Sequence, residues 1–250
     1  MTAKLYVIQV LNIYFLIMKT KLSQIVLDAL YPRRCFICDE VISPEFFFCS
    51  ECNQKMKRES VKRCLGCGNR ADKCECKDFI YLFDGTISPY FNNGLAKSVY
   101  YKYKFEGRGY SAVFFAEKMH ESIKEHFPDI SFDFITRIPK SKNTAFDHTK
   151  YLAEELSVIM SLPYKEVIAS TDKKRVKQQT LSLEDRFNNV DNAYKVTGKV
   201  KNKTVLLLDD IKTTGATLNE CARRLKMAGA DKVYCVSVLT GSRENEHWNS

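Results

Sequence analysis

Apolar positions divide the chain into three unlike parts. From about Phe79 onward, short aliphatic runs alternate with stretches whose apolar residues recur every third or fourth position. The runs predict buried strands and the stretches amphipathic helices, and their alternation predicts an α/β domain over residues 79–250. Residues 79–88 read as a strand, 93–105 as a helix ending at Gly107, 111–126 as a helix stopped by Pro128, and 132–138 as a strand ended by Pro139. A helix over 146–160 places Leu152, Leu156 and Ile159 on one face. Residues 204–208 are almost purely aliphatic and predict a buried strand. A helix over 218–228 follows, with Leu218, Cys221, Ala222 and Leu225 inward and Gly229 as its stop. Another buried strand spans 233–239. Strand–helix–strand over 204–239 is a βαβ unit, so these strands are expected to be parallel.

The parts before Phe79 carry other patterns. Residues 18–34 predict a short amphipathic lead-in helix, with Leu22, Ile25, Val26, Ala29 and Leu30 apolar. Ahead of it, Leu5 to Met18 is apolar but broken by Gln9 and Asn12, and shorter than the roughly 20 residues a spanning helix needs. Lys19-Thr20-Lys21 stands where a small-residue cleavage site would follow. No membrane span and no export signal are therefore expected, and a buried or interfacial helix is the other reading of this run. The expected location is the cytoplasm, and Met18 reads as the natural start, with 1–17 an over-extended coding segment.

Residues 35–78 hold eight of the chain's ten cysteines, many charges and few aliphatic side chains. Cys35-x2-Cys38 and Cys49-x2-Cys52 form two knuckles, each able to present two sulfurs to one tetrahedral zinc. Cys64-x2-Cys67 with Cys74-x-Cys76 is a second, less regular set, in which Gly66 and Gly68 suit a tight turn. Disulfides are the other use of such cysteines, but they need an oxidising compartment. So small and apolar-poor a segment needs a staple to fold. One or two structural zinc ions are expected, closed by four thiolates each and so without an open catalytic position. The formal charge of +9 favours polyanionic partners, though two tetrathiolate zinc centres would lower it to about +5. Lys55, Lys57, Arg58, Lys62 and Arg63 form either a phosphate-facing patch or a solvated charged face.

The most informative stretch runs from Val205 to Thr217, VLLLDDIKTTGAT. A buried parallel strand ends at Asp209 and Asp210, a loop rich in hydroxyls follows, and a helix begins. Ligands of open α/β sheets sit at the carboxyl ends of strands, and helix N-termini favour anions. Backbone N–H groups from Thr213 through Thr214, Gly215 and Ala216 to Thr217 can wrap a phosphate, with Gly215 permitting close approach. Asp209 and Asp210 would repel phosphate, but they accept hydrogen bonds from vicinal hydroxyls, directly or through Mg2+. Phosphate donors beside paired acceptors describe a ribose 5-phosphate. A lone TTG is often only a turn; the full order is harder to reach by chance.

This stretch resembles the 5-phosphoribosyl 1-diphosphate (PRPP) signature of type I phosphoribosyltransferases. With cysteine knuckles ahead of it, the chain from about residue 22 resembles the ComF family of ComFC- and GntX-like proteins. Tyr103 to Gly107, Arg137-Ile138-Pro139, and Gln179, Arg186, Asn189 and Asn192-Ala193-Tyr194 match further family segments. The resemblance implies a type I phosphoribosyltransferase fold, a parallel sheet flanked by helices, behind a small zinc-ribbon domain. It implies PRPP and Mg2+ as ligands, with Asp209 and Asp210 as catalytic and ribose-holding residues and Lys212 to Thr217 as the phosphate loop. Lys104, Lys140 and Arg175 are candidates for the diphosphate. One departure stands out: where the family carries arginine–glycine–phenylalanine–asparagine–glutamine, this chain reads Thr144-Ala145-Phe146-Asp147-His148. An arginine is lost and a negative charge gained, with Lys140 and Lys142 nearby.

The family's part in natural competence implies single-stranded DNA, and competence or helicase proteins, as partners. Lys97, Tyr100, Tyr101, Lys102, Tyr103, Lys104, Phe105 and Arg108 interleave cations with aromatics as a stacking surface would. The same pattern also suits a helix whose tyrosines pack on the sheet. Lys173, Lys174, Arg175 and Lys177 form a second basic run. Transfer of the phosphoribosyl group to an acceptor, or PRPP sensing without transfer, are the other functions open to such a chain.

Overall fold

A computed structural model describes residues 30, 32–56, 61–77, 79–106, 111–140, 147–171 and 190–241. Several expectations lie outside these residues: most of the lead-in helix, Lys57, Arg58, Arg108, Lys142, residues 144–146, and the 172–189 segment with Arg175 and its neighbours. The chain forms two compact units, Met1–Lys57 and Arg58–Ser250, so the second cysteine set belongs to the same unit as the α/β domain.

In the first unit Arg34 pairs with Val41 to close the Cys35 knuckle, and the Phe36 N–H donates to the Phe47 carbonyl at 3.2 Å to join it to the Cys49 knuckle. Helix α1 (Ser50–Lys55) starts directly at the second knuckle. The core is small: the Phe36 and Phe48 rings pack at a tilt with centres 6.0 Å apart, and Met56 is buried with them.

The second unit is built on a parallel sheet. Its strands are β1 (Gly85–Ile87), β2 (Tyr90–Phe91), β3 (Phe134–Arg137), β6 (Thr204–Lys212) and β7 (Lys232–Thr240). They lie in the order β1–β7–β6–β3, with β2 continuing the β1 edge along β7. The single strand expected over 79–88 is thus shorter and continues beyond it. Pro89, which has no N–H for the ladder, separates the two pieces. Helices α2 (Gly94–Glu106), α3 (Ser111–His126), α4 (His148–Met160) and α5 (Ala216–Met227) match the predicted periodicity to within a turn.

Alternation along β6 sorts its side chains. Val205 and Leu207 join Val233 and Cys235 of β7 against Leu218, Cys221, Ala222 and Leu225 of α5. Leu206 and Leu208, one residue out of phase, point to the opposite face. The two cysteines outside the knuckles, Cys221 and Cys235, are therefore small core residues, as their inward positions predict. Leu206 is fully buried between Ile135 and Tyr234. Leu206→Ala is expected to destabilise the unit by about 2–5 kcal/mol, read as a lower denaturant midpoint with unchanged slope.

A small antiparallel pair, β4 (Ile168–Ser170) with β5 (Tyr194–Val196), was not foreseen. Three-residue strands are too short for periodicity to reveal them. Among the described residues no helix is long and apolar enough to cross a membrane.

Candidate functional site: the carboxyl end of β6 and the cysteine clusters

The predicted strand stops at Leu208, whereas β6 continues through both aspartates to Lys212. It does so because β7 is equally long: Ile211 pairs Leu239 and Lys212 pairs Thr240. The local ladder is unusual at the aspartates, where Asp209 Oδ1 accepts the N–H of Asp210 and Asp210 Oδ1 accepts the N–H of Ile211, both at 2.8 Å. The loop proper is only Thr213 to Gly215, since α5 begins at Ala216. Gly215 has φ of 77°, and a Cβ there would sit 3.2 Å from the Tyr81 ring. Only glycine fits without strain.

Residues 209–218 line one concavity of about 190 Å3, consecutively and without interruption. Its lining runs from the two carboxylates to the N-terminal turn of a helix, where backbone N–H groups and the helix dipole favour an anion. Tyr81 braces the loop from outside by donating its hydroxyl to the Thr214 carbonyl at 3.2 Å. Asn219 accepts the N–H of Leu82 at 2.6 Å. Nothing in the sequence distinguishes Tyr81 from a strand residue, and its role is visible only in three dimensions.

The two carboxylates are in different electrostatic states. Burial, and then the adjacent Asp210, push the Asp209 carboxyl well above its ordinary range. Burial works against ionised Asp210 too, but the Lys104 ammonium at 2.7 Å outweighs it and holds that carboxyl below its ordinary value. Asp210 Oδ2 also meets His148 Nε2 at 2.8 Å, while His148 Nδ1 contacts the Lys140 ammonium. An ammonium only donates, so Nδ1 accepts and the ring proton on Nε2 faces Asp210. Two diphosphate candidates, Lys104 and Lys140, are thereby brought to the aspartates. His148, 2% exposed, is the residue that joins them. It had stood out in the sequence only as a departure from the family motif.

The neighbouring departure is compensated. Asp147 caps α4 by accepting the N–H of Lys150 at 3.1 Å, and it pairs with Arg137 at 2.9 Å. Arg137 also holds Glu166 at 3.1 Å and is held by Tyr164 at 2.8 Å. The added negative charge is therefore neutralised within the fold. Lys212 lines the same concavity, yet its side chain is almost wholly buried and its Nζ reaches the Thr213 carbonyl at 3.4 Å.

The cysteines form two clusters, Cys35, Cys38, Cys49 and Cys52, and Cys64, Cys67, Cys74 and Cys76, whose sulfurs all lie within 4.8 Å of one another. A tetrahedral zinc with Zn–S bonds of about 2.3 Å requires sulfurs about 3.8 Å apart. Observed separations are 3.7 Å for Cys38–Cys49, 3.6 Å for Cys64–Cys76, 3.9 Å for Cys67–Cys74 and 3.4 Å for Cys64–Cys74. These distances fit zinc and are far too long for disulfides. In each cluster one thiol ionises readily. Burial opposes it at Cys35, but the backbone N–H groups of Cys38, Cys49 and Ile37 bring it down to about 7. Cys64 is likewise at about 7, where the Cys67 backbone and neighbouring thiols outweigh burial. A doubly charged ion lets the remaining sulfurs become thiolates as well.

Comparison with known proteins agrees with both modules. Residues 110–250 match the family model for the phosphoribosyl transferase domain, and residues 26–79 that for the double zinc ribbon domain. This chain belongs to the phosphoribosyl transferase domain family. More particularly, a double zinc ribbon followed by that domain is the ComF-type organisation. Its curated relatives include competence protein ComFC of Streptococcus pneumoniae, 26% identical over 82% of this chain and 99% of that protein. Competence protein ComFC of Bacillus subtilis is 25% identical over 82% of this chain and 93% of that protein. Among solved structures, the purine phosphoribosyltransferase of Pyrococcus horikoshii is 22% identical over 52% of this chain and 80% of that chain, with a TM-score of 0.30.

Proposed function

We propose that this protein binds PRPP with Mg2+ at the carboxyl end of β6 and acts in the cytoplasm on DNA taken up during competence. One observation carries the PRPP reading: ten consecutive residues, Asp209 to Leu218, line a single concavity, running from two carboxylates to a helix N-terminus. In this reading the N-terminal turn of α5 and the Thr213–Gly215 loop receive the 5′-phosphate. Asp209 and Asp210 take the ribose hydroxyls, and Lys104 and Lys140 face the diphosphate. Mg2+ would neutralise diphosphate charge, with the carboxylates as the available oxygen donors.

Binding of PRPP is expected to protect the fold thermally, by about 2.7 kcal/mol at a hundredfold excess over Kd. A thermal scan with and without PRPP and Mg2+ tests it; an unmoved transition at millimolar ligand would count against the site. Incubation with PRPP and candidate acceptors separates transfer from sensing. Release of diphosphate identifies an enzyme, whereas binding without turnover identifies a PRPP-responsive adaptor. The lost arginine of the 144–148 segment favours the latter.

The role with single-stranded DNA draws on α2. Tyr100 and Tyr103 are fully buried and belong to the core, so the stacking surface is narrower than the sequence pattern suggests. The remaining face carries Tyr101 and Phe105 with ring centres 5.7 Å apart. Lys97 lies 5.9 Å from the Tyr101 ring and Lys104 6.0 Å from that of Phe105. Phe105 is 71% exposed, an unusual state for so large an apolar group. Lys104 belongs both to this face and to the Asp210 ion pair, so the two sites adjoin. Tyr101→Ala with Phe105→Ala is expected to weaken single-stranded DNA binding by about 1–3 kcal/mol per stacked base lost. Fluorescence anisotropy at several salt concentrations checks this; unchanged affinity would remove α2 from the DNA surface. Competence proteins, including a helicase, are the partners this reading expects.

A further inference from the structure

A buried lysine lies where the second cysteine cluster meets the phosphate loop. Lys212 closes β6, and the residue is 1% exposed. Its stem runs between two glycines from different parts of the chain. A Cβ on Gly68, in the knuckle after Cys67, would come within 3.8 Å of the Lys212 Cδ. A Cβ on Gly215, in the phosphate loop, would come within 3.3 Å of its Cε. The knuckle is itself fixed to the sheet, since the Leu65 carbonyl accepts the N–H of Thr86 at 2.7 Å and a Cβ on Gly68 would be 3.0 Å from the Thr86 methyl. The Lys212 ammonium donates to the Thr213 carbonyl at 3.4 Å and lies 5.9 Å from the centre of the Tyr81 ring.

Lysine is almost never buried this far unless an opposite charge faces it. Burial disfavours the charged form and holds Lys212 below the ordinary lysine range, while Cys67 and Cys76 of the cluster, Glu75 between them and Cys235 of β7 act in the opposite direction. A zinc ion bound by four thiolates carries a net charge of −2, which a single buried ammonium on its margin would partly balance.

We propose that Lys212 is a positioning residue, the internal counter-cation of the second zinc–thiolate centre, which ties the phosphate loop to the metal-bound ribbon. In this role the ribbon is a foundation for the loop as well as an appendage. Loss of zinc would leave the ammonium without its counter-charge and oblige the stem between Gly68 and Gly215 to move. That residues 213–217 are a phosphate loop rests on the PRPP reading above; the tie between the cluster and those residues does not.

The test uses the full-length, zinc-loaded protein and Lys212→Met, which keeps an unbranched stem but removes the charge. Cysteines are alkylated with N-ethylmaleimide over time and followed peptide by peptide. The variant is expected to lose zinc and label Cys64, Cys67, Cys74 and Cys76 about 10- to 100-fold faster than wild type. Cys35, Cys38, Cys49 and Cys52 serve as the internal control and should label at the wild-type rate. Identical labelling of the second cluster in both proteins overturns the proposal. Should both clusters of the variant label fast, misfolding is the cause, and the wild-type protein decides. As a chelator strips its second cluster, amide exchange at residues 213–217 must accelerate ahead of that in β7. Loop exchange that ignores zinc overturns the tie. Neither arm uses PRPP, so a failure of PRPP to bind would strike the functional reading alone.

Discussion

Asp209→Asn combined with Asp210→Asn is expected to abolish measurable PRPP binding. Charge-assisted hydrogen bonds contribute about 1.5–3 kcal/mol each, so the ionised Asp210 accounts for roughly a tenfold to hundredfold change in Kd, and loss of the Asp209 contact adds to it. The single variants should differ in kind. Asp210 also anchors Lys104 and His148, so Asp210→Asn loosens the diphosphate side of the site as well as the ribose side. Asp209 instead accepts the Asp210 N–H on its carboxylate at 2.8 Å. Its carboxyl is raised by burial and by Asp210, so the folded state holds the Asp209 proton more tightly than the unfolded chain does. The stability this proton confers is present below the ordinary carboxyl pKa and is lost as pH rises through the higher folded value. Asparagine carries no such penalty. Asp209→Asn is therefore expected to raise the melting temperature at neutral pH while it weakens PRPP, the trade of stability for function expected of a binding site. Calorimetric melting and titration of the same variant check both halves, and a variant that neither melts higher nor binds more weakly would contradict the assignment.

Zinc removal is expected to have the largest effect on folding. Structural zinc contributes about 10–16 kcal/mol in zinc-finger peptides, more than the whole stability of an ordinary domain. A strong chelator should release two zinc ions per chain, one for each cluster, as read with a colorimetric indicator. The two clusters should then differ in what their loss does. Cys35→Ser should unfold the small unit around Phe36 and Phe48 and leave the α/β unit's own transition in place. Cys67→Ser should lower that transition, because the second cluster lies within the Arg58–Ser250 unit and its knuckle bonds to Thr86 of β1. Equal effects of the two substitutions on the α/β transition would show that the second ribbon is not part of its foundation.

Much of this architecture is legible in the sequence because it is written in strong local signals. The aliphatic run before Asp209, the helical face of Leu218 to Leu225 and the spacing of the cysteine knuckles each follow from one periodicity or one coordination geometry. What escaped the sequence depends on contacts between distant segments. The extension of β6 to Lys212 is set by the length of its partner β7. Tyr81 reaches Thr214 from across the fold, and His148 comes to Asp210 only because α2 and α4 bring Lys104 and His148 to one carboxylate. Lys212 shows the same limit from the other side. Its place inside the signature suggests a ligand contact, and nothing local to the signature shows that its stem also runs beside Gly68 of the distant knuckle. The tyrosines of α2 divide by helical phase, with Tyr100 and Tyr103 inward and Tyr101 outward, a division the interleaved pattern alone does not make.

The central claim is PRPP binding at the carboxyl end of β6, and isothermal titration of the zinc-loaded protein with PRPP tests it most directly, with and without Mg2+ and with and without single-stranded DNA. Saturable, Mg2+-dependent binding with micromolar Kd is the predicted result, with an affinity that shifts when DNA is present, as the shared Lys104 requires. Absence of heat at millimolar PRPP, together with an unmoved melting transition, would contradict it and leave a zinc-ribbon adaptor whose PRPP signature no longer binds.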